Sequence, residues 1–120
     1  MQEKERFQRW RLKEEDLKDL NPAKAKDLII HCFYEAQKET FARSKQTLGL
    51  RTDEAQVFAS VLSAIKLAFK ETGEDFNNPT KKNLTKVVEV LGRKATSWGT
   101  PRDIIEYHRG QIMRVIGELK

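Results

Sequence analysis

Residues 21–48 constrain the fold most, because they read as one long helix with too much apolar circumference to stand at a surface. One face carries Ala25, Leu28, Ile29, Cys32, Phe33, Ala36 and Thr40. A neighbouring face carries Ile30, Tyr34, Phe41 and Leu48. Charge is confined to one stripe of Lys24, Asp27, His31, Glu35, Lys38 and Lys45. A surface helix hides a single apolar stripe, whereas one apolar over most of its girth has to be covered on several sides. The chain must therefore supply neighbours on more than one flank.

Glycines and prolines mark where those neighbours begin and end. Asn21-Pro22 pairs a good N-cap with a first-turn proline, and Gly49 offers the C-terminal stop. Thr52 caps a second core helix, with Asp53 and Glu54 in its first turn. Its broad apolar arc is Val57, Phe58, Val61, Leu62, Ala64, Ile65, Ala68 and Phe69, and Gly73 ends it. The short link through residues 49–51 makes these two helices an antiparallel hairpin. Asn78-Pro79 repeats the start signal for a third, with Leu84, Val87, Val88, Leu91, Ala95 and Trp98 on one face and Gly99 at its close. Thr100-Pro101 opens a fourth with Asp103 at the capping-box position. Its core face is Ile104, Ile105, His108, Ile112, Val115, Ile116 and Leu119.

No segment alternates with strand period, so the expected fold is all-α. It has a four-helix bundle-like core, with helices at about 21–48, 52–72, 79–98 and 100–119. An additional amphipathic helix is expected at about 3–19, where Phe7, Trp10, Leu17 and Leu20 form a thin apolar stripe among dense charge. Such a helix is unstable alone and has to dock on the body, a second copy or another partner. These four residues are its expected interface. At 120 residues the whole chain is one domain.

Composition narrows the function classes. No run approaches the roughly 20 apolar residues of a membrane span. The start lacks an apolar signal core, so a cytoplasmic location is expected. One cysteine, Cys32, builds neither a disulfide framework nor a metal cluster. The net charge is +5, and residues 79–120 hold nine basic against four acidic groups. That asymmetry suits an anionic partner, and equally an ordinary lysine-rich surface. Candidate nucleic-acid contacts are Lys81, Lys82, Arg93, Lys94, Arg102 and Arg109. Leu91-Gly92 resembles the turn of a helix-turn-helix motif, but residues 93–98 are not apolar where a recognition helix packs.

Phosphate-binding glycine loops, HExxH, paired CxxC and GxSxG are absent. No cofactor or metal is expected. His31 lies on the polar stripe, four residues from Asp27 and four from Glu35, and reads as a solvated histidine between two acids. Cys32 faces inward as a small core residue. His108 interrupts an apolar face and reads as a buried histidine or the lining of a cleft.

The run Arg102-Asp103-Ile104-Ile105-Glu106-Tyr107-His108 resembles the Arg-polar-x(n)-His signature of HEPN-type ribonucleases, which are all-α and usually dimeric. That resemblance implies a metal-independent ribonuclease with Arg102 at the scissile phosphate and His108 in proton transfer. It covers seven residues, and on an unbroken helix the two point about 120° apart. The leading expectation is accordingly a non-enzymatic helical module that self-associates, as a homodimer, or docks another protein. Nucleic-acid binding through the C-terminal third comes second and ribonuclease chemistry third.

Overall fold

The computed structural model describes residues 10–48 and 54–119, apart from the side chains of residues 44–48. Four helices form the body: α1 (Pro22–Leu48), α2 (Glu54–Glu71), α3 (Lys81–Ser97) and α4 (Arg102–Glu118). They pack in a ring, α1 on α2, α2 on α3, α3 on α4, and α4 back on α1. This is the all-α, four-helix core that the periodicity predicts. At 1.5 Å per residue α1 is about 40 Å long, close to the longest molecular extent of 44 Å.

The core is where the apolar rows meet. Ile29, Cys32 and Phe33 of α1 face Ile65 and Phe69 of α2, Leu84, Val87 and Leu91 of α3, and Ile112 and Val115 of α4, all buried. Each large side chain so buried contributes about 1.5–3 kcal/mol. Coverage of the two broad-arc helices is incomplete, however. Phe41 of α1 is 41% exposed, and Phe58 and Leu67 of α2 are 42% and 48% exposed.

The ends of the helices follow local chemistry. Asn21 caps α1, its Oδ1 accepting the Lys24 backbone N–H at 2.8 Å. Gly73 and Gly99 both take positive φ and close α2 and α3 with the same paired carbonyl bonds. Glu74 N–H reaches Phe69 O and Gly73 N–H reaches Lys70 O; Thr100 N–H reaches Ala95 O and Gly99 N–H reaches Thr96 O. The Gly49 stop and the Thr52 cap lie outside the described residues.

Three local expectations are corrected. α3 starts not at Asn78-Pro79 but after Thr80, whose hydroxyl accepts the Asn83 N–H at 3.1 Å while the Asn83 side chain accepts the Thr80 N–H at 2.7 Å. Asn78 instead gives its amide to Asp75 Oδ2 at 2.7 Å. The N-cap of α4 is Pro101 and not Thr100, with no side-chain cap bond, so Asp103 does not stand at the capping-box position. Arg43 holds its carboxylate bidentately, with two bonds of 3.0 Å. α3 runs unbroken through Gly92, as the helix expected at about 79–98 requires, with no helix-turn-helix turn. Trp98, expected on the core face of α3, is exposed because the helix ends at Ser97 and the chain turns away at Gly99.

The N-terminal segment differs most. Of residues 10–19 only Glu14–Leu17 is helical, as a single 3-10 turn; residues 3–9, with Phe7, lie outside the described residues. The extended part finds its hydrogen bonds on α4. Leu12 N–H donates to Gln111 Oε1 at 2.8 Å, and the Tyr107 hydroxyl donates to Trp10 O at 3.0 Å. A continuous helix would have kept those backbone groups for itself. Leu12 is buried in the core, and Trp10, Leu17 and Leu20 pack against it.

Candidate functional site

Two buried polar side chains interrupt the apolar rows, and they face each other. His108 of α4 and Glu39 of α1 are both buried, with Nε2 3.2 Å from Glu39 Oε1. Arg43, one turn beyond Glu39, sits 3.4 Å from Glu39 Oε2 and bridges to Asp103. The Asp103 carboxylate raises the Arg43 guanidinium above its ordinary value. The four residues tie α1 to α4 through a chain of charge that runs from the core to solvent.

Sequence reasoning found His108 and missed Glu39. The signal was present, because Glu39 continues the row Ala25, Ile29, Cys32, Ala36. A carboxylate on one core row and an imidazole on another are complementary in chemistry, although 69 residues separate them.

Arg102 does not join this cluster. Its side chain is 91% exposed and bonds Glu106 at 3.0 Å. The two residues of the ribonuclease-like run line two different cavities. Arg102 stands at the rim of a groove of about 660 Å³ between α3 and α4. His108 lines a separate slot of about 30 Å³. That slot has room for a water or a methyl group and none for a phosphate.

Three of the six basic candidates, Arg93, Arg102 and Arg109, line the groove. Lys94 points the other way and bonds Glu71 of α2 at 3.2 Å. Lys81 and Lys82 are exposed in the first turn of α3.

The His31 side chain is 41% exposed and packed on one side. The Trp10 ring meets it edge-on at 5.0 Å, and its Nε2 lies 3.2 Å from Glu35 Oε2. Tyr34 and Phe58 continue the ring contacts across to α2, at 5.9 and 5.5 Å. Cys32 is fully buried; burial pushes its thiol up to about 12, with Glu35 and Asp16 adding to the shift. Such a thiol is inert as a nucleophile.

Among the described residues no group of three or more His, Cys, Asp and Glu side chains is placed to hold a metal ion. No described helix is long and apolar enough to cross a membrane.

The outer face of α2 is the remaining unusual surface. Residues 55–65 carry no charge at all, yet Phe58, Ala59, Ser60, Ser63 and Leu67 are exposed. No protein-family model matches the chain, and neither a curated protein nor a solved structure is found to be similar to it.

Proposed function

We propose that the protein is a non-enzymatic helical module that pairs with a second copy of itself through the outer face of α2. One observation carries this reading: an exposed helix with no charge between Glu54 and Lys66 and with Phe58 and Leu67 open to water. Two copies of a chain of net charge +5 repel each other at long range, and that repulsion is least at a face with no charge of its own. A two-fold pair needs a self-complementary patch, and an uncharged apolar face is one. Ala59 and Ser63 are one turn apart, so two α2 helices can approach closely there in antiparallel order. Phe58 and Leu62 of both copies then close one flank. The acidic Glu54 end of each α2 comes to the Lys66 and Lys70 end of the other.

Sedimentation velocity at micromolar concentration tests the proposal. The expected result is a dimer that Ala59→Lys converts to monomer with the helical circular dichroism unchanged, since Ala59 is exposed and no core contact is lost. A wild-type chain that sediments as a monomer at 100-fold higher concentration overturns it.

The nucleic-acid reading is not preferred, because Lys86, Lys94, Arg102 and Arg114 already hold Glu74, Glu71, Glu106 and Glu14. The ribonuclease reading lacks a place for phosphate beside His108.

A further inference from the structure

The segment before α1 is held by contacts that a copy of the same segment from another chain would also meet. Its first described residues are extended, with Lys13 at φ −106° and ψ 157°, so alternate side chains face the same way. Trp10 and Leu12 turn to the body, while Arg11 and Lys13 are exposed. The seat on α1 and α4 recognises side chains and backbone together. The His31 ring meets Trp10, and the core takes Leu12. Gln111 Oε1 accepts the Leu12 N–H at 2.8 Å, and the Tyr107 hydroxyl donates to the Trp10 carbonyl at 3.0 Å. Bonds to the main chain, with pockets for alternate side chains, are how a folded surface binds an extended peptide. None of these contacts depends on segment and seat belonging to one chain.

The joint that brings them together within one chain is strained. Asp19 lies between the 3-10 turn and α1 with φ +52°, the one non-glycine residue at positive φ among the described residues. That region is unfavourable for a residue with a Cβ. A segment that reaches a second copy leaves Asp19 in ordinary backbone geometry.

We propose that this segment is exchangeable, so that residues 10–17 of one chain seat on α1 and α4 of a second copy and each chain completes the other's core with its Leu12. Reciprocal exchange of an identical element is a low-cost route to a two-fold pair. It is separate from pairing through the outer face of α2, because α4 lies across the ring from α2. In the unaltered chain the short joint holds the segment near its own seat at an effective concentration on the order of 1 mM. The closed form therefore prevails at micromolar protein, and exchange prevails when the joint cannot close.

Two measurements on the full chain test this. In the first, a fluorescent peptide of residues 10–18 is titrated into wild type and into Leu12→Ala, whose own segment is loosened. The seat is occupied in wild type, so Leu12→Ala binds the peptide about tenfold more tightly. The peptide also raises the Tm of Leu12→Ala, a readout that survives any loosening of that variant. Adding Gln111→Ala to Leu12→Ala weakens the peptide again. In the second, joint variants are sedimented at high micromolar concentration in the Ala59→Lys background, which removes pairing through α2. Proline cannot adopt positive φ, so Asp19→Pro is a dimer there. Glycine adopts it readily, so Asp19→Gly is a monomer. The proposal is overturned if the peptide leaves the Tm of Leu12→Ala unchanged, or if Asp19→Pro and Asp19→Gly sediment alike.

Discussion

Glu39 and His108 show how much a single buried pair constrains this core. Each sits where its helix is otherwise apolar, and each has the other within 3.2 Å. Taking a carboxylate out of water costs several kcal/mol, and only a well-placed partner offsets that cost. Truncating one member leaves the other buried with its principal contact gone. Glu39→Ala is therefore expected to lower the unfolding free energy by about 3 kcal/mol, read from urea denaturation. Replacing both, as in Glu39→Leu/His108→Leu, removes the polar demand together with its satisfaction and recovers much of that loss. A Glu39→Ala variant as stable as wild type would mean that the carboxylate lies in water and not against the imidazole.

At the scale of elements, residues 10–20 form a strap and not a continuous helix. Its energy comes from Leu12 in the core and from two hydrogen bonds to α4. The bond between Glu14 and Arg114 is exposed and adds little. Leu12→Ala should cost about 2–4 kcal/mol, the range for truncating a buried leucine. Deleting residues 1–20 should lower Tm further, since it also uncovers the ring face of His31 beneath Trp10. An unchanged Tm in the deletion would show that the strap is not bound in solution. The sequence made the core helices legible because local rules decided them: the row of α4 from Ile104 to Leu119, the cap at Asn21, and the stops at Gly73 and Gly99. It misplaced the strap because its hydrogen-bond acceptors and donors, Gln111 and Tyr107, lie about a hundred residues away. The same distance hid Glu39 from His108 and Arg43 from Asp103. The cleft between α3 and α4 was legible only as three arginines and an unexplained Gly92, since only packing shows that they share one opening.

Across the whole molecule, the uneven charge of the sequence is evened out by the fold. The acidic stretch, residues 49–78, carries five acids against three bases, and the basic C-terminal third packs beside it. Glu71 and Glu74 reach Lys94 and Lys86 across the α2–α3 contact, and Glu14 of the strap reaches Arg114. Among the described residues of that third, Lys81, Lys82, Arg93 and Arg109 have no carboxylate at ion-pair distance. They are also split, two in the first turn of α3 and two in the cleft. Each phosphate neutralised contributes about −0.9 to the slope of log K against log salt. Binding to duplex DNA should therefore be weak, with a slope no steeper than about −4 even if all four residues engage. Fluorescence anisotropy with a labelled duplex between 20 and 200 mM salt, roughly the range over which such slopes are read, measures this directly. A steeper slope would require the ion pairs at Lys86, Lys94 and Arg114 to open on binding. Changing Glu71 and Glu74 to glutamine would then leave the slope unchanged, whereas with those pairs closed it should steepen as Lys86 and Lys94 are set free.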